Sequence, residues 1–270
     1  MKLEYNISEI VPYINWIYFF HAWNMDGKSK EDKSCLQVDA ERLLESWEGE
    51  YHTHALFKIL PANSEGDDLI LDGVRIPMLR QQQVLKNGEP NLCLADYVRP
   101  LSQGKQDQVG IFCTTVDRGL QIGNDNDAYK KMMYQTLCDR LAEGTAEKMH
   151  EDVRRVYWGY APDEHITMRQ THNEEYIGIR PAVGYPSLPD ISINFILDKL
   201  LEMKKIGIRL TEIGMMTPHA SVSGFMFSHP KAKYFDLGKI GEDQLIDYAH
   251  RRGLPVEYVR RFLQSNLLKH

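Results

Sequence analysis

The chain has 270 residues, 43% of them hydrophobic and 26% charged, with a formal net charge of −6. That is enough to bury a sizeable core, and the composition is that of a globular protein rather than a disordered or fibrous one. The acidic balance argues against non-specific nucleic-acid binding, and no apolar run approaches the ~20 residues of a membrane span.

In chain order, residues 8–23 combine Ser8, Pro12 and the aromatic cluster Trp16, Tyr18, Phe19, Phe20 and Trp23. A short capped helix running into an extended, buried segment is expected. Over residues 36–47, Val38, Leu43, Leu44 and Trp47 recur at helical spacing, with Asp39 and Glu41 favouring the helix start. Residues 55–60 read as a short strand. Residues 68–78 carry an Asp72-Gly73 turn between apolar runs, which signals a hairpin. Residues 109–115 read as a strand interior to a sheet, and 86–90 and 102–107 as polar loops. A long helix is expected over 125–158, with Tyr129, Met133, Leu137 and Leu141 tracing one apolar stripe. Glu143 falls at about three turns from Met132, at the margin of that inward face.

Residues 161–175 read as a loop, 192–206 as a helix ended by Gly207, and 208–213 and 222–227 as strands. Two helices, 241–252 and 255–267, close the chain, with Pro255 in the first turn. Helices and strands cluster instead of alternating strictly, so the fold class expected is α+β. No composition break marks a second domain, and residues 1–270 are expected to form one large domain.

Residues 180–189, Arg-Pro-Ala-Val-Gly-Tyr-Pro-Ser-Leu-Pro, hold three prolines in ten positions. Such a stretch cannot be a helix interior or a central strand. Each proline fixes its own φ and biases the preceding residue towards extended geometry. Gly184 supplies the one freely turning joint. A stiff loop carrying the guanidinium of Arg180 and the phenol of Tyr185 suits a ligand platform. A proline-rich crossover between two elements fits the spacing equally well.

The run at 174–186, Glu-Glu-Tyr-Ile-Gly-Ile-Arg-Pro-Ala-Val-Gly-Tyr-Pro, resembles the signature of the activation domain of cobalamin-dependent methionine synthase. The resemblance continues through 220–230 (Ala-Ser-Val-Ser-Gly-Phe-Met-Phe-Ser-His-Pro) and Lys-Tyr-Phe at 233–235. Upstream it includes Asp-Arg-Leu-Ala-Glu at 139–143, Val-Tyr-Trp-Gly-Tyr-Ala-Pro at 156–162, and shorter runs at 60–63, 79–82 and 93–98. It spans roughly residues 11–267.

The resemblance implies an activation-domain fold, mainly antiparallel sheet with surrounding helices, that binds S-adenosylmethionine (AdoMet). It implies that AdoMet's methyl group is presented to a cobalamin supplied by a partner domain or subunit. A flavodoxin-like donor provides one electron, and the cob(II)alamin formed by oxidation is thereby reactivated. Implied ligand contacts are Asn15, Glu143, Glu174, Arg180, Ala182, Gly184, Tyr185, Ser187 and Tyr234. Arg180 would clamp the AdoMet carboxylate with two parallel hydrogen bonds, as a lysine could not. Glu143 and Glu174 would face its positive groups, and backbone left available over 182–187 would meet the adenine. Tyr234 would hydrogen-bond the ligand, and Tyr185 would face the corrin. The resemblance implies no homocysteine or folate catalysis by this module alone. Two other readings stay open: a module that binds AdoMet or a cobalamin protein without reactivating it, and a free-standing methyltransferase.

Three departures from the family pattern bear on this. Asn15, in Tyr-Ile-Asn-Trp, stands where an aspartate is typical. Ile191 and Asn194 stand where the pattern has histidine and lysine, at the end expected to face the cobalamin module. Asp163-Glu-His165 lacks the glycine of the cobalamin signature, Met168 standing in its place. His52-Thr-His54 is weak as a metal pair without nearby partners, and no metal is expected. Cys35, Cys93, Cys113 and Cys138 make no Cys-x-x-Cys pair, which reads as unpaired thiols in a reducing cytoplasm.

Overall fold

A computed structural model of the chain describes residues 1–83, 88–121 and 127–268. It opens with strand β1 (Lys2–Asn6) and helices α1 (Ile7–Ile10), α2 (Trp16–Ala22) and α3 (Lys30–Trp47). Strands β2 (His52–Glu65), β3 (Asp68–Leu71), β4 (Val74–Pro77) and β5 (Asp107–Val116) follow, then helices α4 (Ala128–Asp152), α5 (Met168–His172) and α6 (Asn194–Leu201). Strands β6 (Arg209–Leu210), β7 (Met216–Thr217) and β8 (Ser221–Met226) precede the closing helices α7 (Glu242–Arg252) and α8 (Val256–Leu263). One sheet has the order β4-β3-β2-β5-β8, with β1 also on β2, and β6 pairs β7 separately. The β1·β2, β2·β3 and β3·β4 pairs are antiparallel. The fold is α+β, with a mainly antiparallel sheet and surrounding helices, as expected.

Contacts divide the chain into two compact units, each assembled from three segments. The first contains Met1–Phe57, Phe112–Tyr176 and Asp198–Val222; the second contains Lys58–Ile111, Ile177–Leu197 and Ser223–His270. The borders fall inside β2, β5, α6 and β8 or beside Tyr176, so no linker or composition break could mark them.

In the first unit α4 is the spine. Asp127 caps it, accepting from the Tyr129 N–H at 2.9 Å. Met133, Leu137 and Leu141 are buried as expected. Tyr129 departs from the expected stripe: it stays 45% exposed, edge-on to Trp23, and its hydroxyl donates to Asp39 at 3.1 Å. The expected start at residue 125 lies outside the described residues. At its far end α4 passes into a π turn, Val153–Tyr157, instead of continuing as regular α-helix to residue 158.

Several local expectations are corrected in this unit. The aromatic segment is helical, not extended: Asn15 caps α2, Phe19 is buried against Trp16 and Trp23, and Ile17 and Tyr18 are exposed. Helix α3 starts earlier than expected, because Ser29 accepts from the Asp32 N–H at 3.1 Å; Asp39 and Glu41 are therefore mid-helix. The supposed loop 161–175 contains α5, opened by a capping box of Thr167 and Gln170. The strand expected over 208–213 is only Arg209–Leu210.

In the second unit, Asp72 and Gly73 turn the β3–β4 hairpin with φ of 50° and 80°, as the sequence predicts. Strand β2, expected over 55–60, runs on to Glu65, where Ala62–Glu65 pair with β3. Helices α7 and α8 enclose Leu237, Ile240, Leu245, Tyr248, Val259 and Leu263. Helix α8 is shorter than expected, and Pro255 is its cap residue, not part of its first turn. The helix expected over 192–206, which begins in the second unit and ends in the first, is also broken. A 3-10 turn, Ile191–Ile193, leads into α6; Glu202 then takes φ 61° and a second 3-10 turn, Met203–Ile206, follows. Of the expected loop 86–90, residues 86 and 87 lie outside the described residues, while 102–107 begins inside the 3-10 turn Leu101–Gln103.

Candidate ligand site

The proline stretch of the second unit is laid along β8. The Ile179 and Phe227 backbones exchange hydrogen bonds of 3.0 and 2.9 Å, Phe225 N–H donates to Pro181 O at 3.1 Å, and Val183 N–H donates to Ser223 O at 2.8 Å. The chain then turns on itself at Gly184, whose φ is 88°. Gly184 N–H donates to Leu188 O and Leu188 N–H to Tyr185 O, each at 2.8 Å, while Leu237 N–H donates to Pro186 O at 3.0 Å. An added Cβ at Gly184 would meet Ile191 Cγ2 at an ordinary 3.4 Å, so the left-handed φ, more than crowding, calls for glycine.

These bonds correct one expectation. The prolines do not leave the 182–187 backbone generally available to an adenine, because the N–H groups of Val183, Gly184 and Tyr185 donate within the protein. Ala182, Val183, Ser187 and Leu188 are buried, and buried backbone polar groups are paired as a rule.

Arg180 is itself only 7% exposed. Its backbone N–H donates to Tyr234 Oη at 2.8 Å. The phenol expected to meet the ligand therefore also holds the arginine's main chain. A phenol keeps two lone pairs and one proton, so accepting from Arg180 does not use its donor. Tyr185, by contrast, is 48% exposed. Asn194 is buried and accepts from Ser223 Oγ at 2.6 Å.

In the first unit the 3-10 turn Val11–Tyr13 gathers the remaining residues. Helix α4 packs on it, and so does α5, through His172 Nε2 and Tyr13 O at 3.3 Å. Asn15 leaves this turn, Glu143 sits on α4 and Glu174 follows α5, so the structure brings their three elements to one place. The packing is tight at Gly144, where an added Cβ would lie 2.9 Å from Ile10 Cγ2 and 3.5 Å from the Tyr13 carbonyl carbon. Asn15 accepts from the Ile17 N–H at 3.1 Å, a capping role that the sequence reading did not assign. Glu143 is half-buried, and Glu174 is exposed with φ 58°. Burial pushes the Asp139 carboxyl up, His219 and Arg140 oppose this, and Glu143 one turn away adds to the rise.

Sequence reasoning missed a buried cluster around Arg154. Arg154 is fully buried in the π turn and donates to both Glu164 oxygens, at 3.1 and 3.0 Å from Nε. Its guanidinium also lies 4.3 Å from the Tyr176 ring centroid and 3.0 Å from His150 Nδ1. In the sequence Arg154-Arg155 looks like an ordinary solvated helix pair, and no signal separates the two.

Elsewhere, a concavity of about 500 Å³ lined by Ser64, Asp96 and Leu101, and one of about 460 Å³ lined by Ile7, Leu44 and Glu48, include none of these residues. His54 Nε2 pairs with Asp117 Oδ1 at 2.7 Å, and no group of three or more His, Cys, Asp or Glu among the described residues is arranged to hold a metal. No described helix is long and apolar enough to cross a membrane.

Comparison with known proteins identifies the family. The family model described as "Vitamin B12 dependent methionine synthase, activation domain" matches residues 6–253. Among solved structures, the crystal structure of the MetH reactivation domain bound to AdoHcy is 37% identical, with a TM-score of 0.93 over 100% of this chain and 90% of that one. The chain belongs to the activation domain family of vitamin B12-dependent methionine synthases.

Proposed function

We propose that this chain binds AdoMet and presents its methyl group to the reduced cobalamin of a B12-dependent methionine synthase, as a separate subunit or as a module of it. The observation that carries the reading is Arg180: a buried guanidinium whose main chain is held by Tyr234, on a platform laid along β8. Such a group suits a carboxylate that must be gripped in one orientation, because the fork is positioned before the ligand arrives. The resemblance to an AdoHcy-bound domain supports the same ligand class.

Bound AdoMet would supply a methyl group activated by its sulfonium. The chain's own part is orientation. In this reading Arg180 takes the carboxylate, and Ala182, Gly184 and Ser187 border the adenine. Tyr234 holds Arg180 and hydrogen-bonds the ligand. Glu143 and Glu174 take the positive groups, with Asn15 accepting a hydrogen bond from the amino group. Tyr185, half-exposed, faces the corrin carried by the partner module. Holding both reactants converts a two-body encounter into an internal one. A flavodoxin-like protein is the proposed electron donor, and the reducing cytoplasm the proposed compartment, in keeping with four thiols in no disulfide.

Calorimetry with AdoMet and AdoHcy tests the binding step. Binding by the wild type, weakened about tenfold or more in Arg180→Lys, is expected; no heat at millimolar ligand refutes the reading. Incubation with a cobalamin-binding methionine synthase module, a reductant and AdoMet then tests reactivation. Return of methylcobalamin is expected, and binding without that return leaves only a ligand-binding module.

A further inference from the structure

We propose that Asp190, Arg252 and Tyr248 are positioning residues that set the AdoMet platform from its far end, through a buried lock on helix α7. The inference rests on the ligand reading given above.

Asp190 directly follows Pro189, the last residue of the platform. Its side chain is used on both oxygens: Oδ1 accepts from the Ser192 N–H at 2.9 Å, while Oδ2 accepts from Tyr248 Oη at 2.8 Å and Arg252 Nη1 at 2.7 Å. Arg252 also donates to Tyr248 Oη at 2.7 Å and to Ser192 Oγ at 3.1 Å. Asp190, Ser192 and Tyr248 are each 1% exposed, and the Arg252 side chain is 5% exposed. All of these residues lie within the second unit.

A cap on a three-residue 3-10 turn needs no buried arginine. An N-cap carboxylate on the surface would do the same work, and burying an ion pair gains little stability on its own. What the buried arrangement adds is directional constraint: three groups from α7 and the 3-10 turn fix where the chain leaves Pro189. That constraint reaches the ligand-facing residues along a short path, since Leu188 is bonded to both Gly184 and Tyr185. The loop is closed a second time on one residue of β8. Ser223 accepts from Val183 N–H through its carbonyl and donates to Asn194 Oδ1 through its hydroxyl. Residues 183–194 are thus a ring pinned at Ser223, with the lock set inside it.

The test uses the full chain. Arg252→Met leaves a buried carboxylate without its cation, so the neutral double variant Asp190→Asn/Arg252→Met and the single Tyr248→Phe serve beside it. Leu69→Val and Leu69→Ala, in the buried face of β3, supply controls that lower the melting temperature without touching the loop. Two quantities are measured well below unfolding: deuterium exchange of peptides covering 180–190 without ligand, and the AdoMet dissociation constant. The lock variants are expected to exchange at least ~tenfold faster in 180–190 than any change in β3 peptides, and to bind AdoMet at least ~fivefold more weakly.

Control variants of equal melting temperature are expected to keep the wild-type affinity. Exchange that rises no more in 180–190 than in β3, or an affinity loss shared by the controls, overturns the positioning role. So does faster exchange with unchanged affinity. If the wild type binds no AdoMet, the ligand reading fails by itself, and the exchange comparison still decides whether α7 sets the loop.

Discussion

Replacing Gly144 by alanine tests how the first unit places its acidic residues. Helix propensity alone favours the change by about 0.8–1 kcal/mol, because glycine is a poor residue in a helix interior. The packing opposes it. The new methyl would lie 2.9 Å from Ile10 Cγ2, a distance that real Cβ atoms essentially never show, and 3.5 Å from the Ile10 carbonyl oxygen. Ile10 is 0% exposed and its β-branched side chain has little freedom to swing aside. Relief must come from moving α4 away from α1 and the Val11–Tyr13 turn. Overpacking of this kind costs about 1–3 kcal/mol, so the net effect is a loss averaging roughly 1 kcal/mol. In a chain of this size, that lowers the melting temperature by about 2–4 °C. Glu143 is the adjacent residue and Asn15 leaves the displaced turn, so AdoMet affinity should fall as well. Thermal unfolding followed by circular dichroism, with calorimetry on the same sample, reads both. A melting temperature that rises, as propensity alone requires, refutes the close-packing argument.

Three further outcomes follow from particular contacts. Tyr234→Phe removes the acceptor for the Arg180 N–H, and should cost about 1–3 kcal/mol of stability along with AdoMet affinity; a neutral denaturation midpoint would show that this bond is dispensable. Glu143→Gln should weaken AdoMet roughly tenfold, while calorimetry giving an unchanged affinity removes Glu143 from the site. Tyr13→Phe should change acid stability. Burial works against ionisation of Glu151, but hydrogen bonds from Tyr13 and Arg155 outweigh it, and its pKa is lowered. A lowered carboxylate pKa contributes stability above the unfolded value of about 4.3, and that stability is lost as pH falls through the lower folded value. The gap in melting temperature between wild type and Tyr13→Phe should therefore be widest near neutral pH and close in acid. A gap independent of pH would exclude the Glu151 pair as its source.

How far the fold is legible in the sequence depended on whether the signal was local. The Asp72-Gly73 turn, the strand at 109–115 and the buried stripe Met133, Leu137 and Leu141 of α4 rest on nearby residues, and each is present. The failures have a common cause. The aromatic cluster of residues 16–23 suggests an extended segment, yet Asn15 caps it and the rings pack at helical spacing. The break at Glu202 has no local punctuation such as proline or glycine, so only tertiary context could impose it. The two units were invisible because each is assembled from three distant segments.

The candidate binding residues are legible by resemblance, but their burial and hydrogen bonding are not, and the difference changes the physical picture. An exposed arginine on a flexible side chain loses rotamer freedom when it grips a carboxylate, which weakens binding. Arg180 is already buried, and its main chain is fixed by Tyr234 and, through its neighbours, by β8. The ordering is largely borne at folding, so less of the ligand's binding energy is spent on it. In the proposed reading, residues that fix the platform belong to the site even where they touch no ligand. That follows for Ser223, which bonds Val183 and Asn194 at once, and for Asp190 at the exit of the loop. Ser223 falls inside the family-like run 220–230, yet neither its bonds nor those of Asp190 can be read from the sequence, because a serine in a strand and an aspartate before a 3-10 turn are common. In the proposed reading their importance comes from closing and setting the ring of residues 183–194, which follows directly on the Arg180 segment.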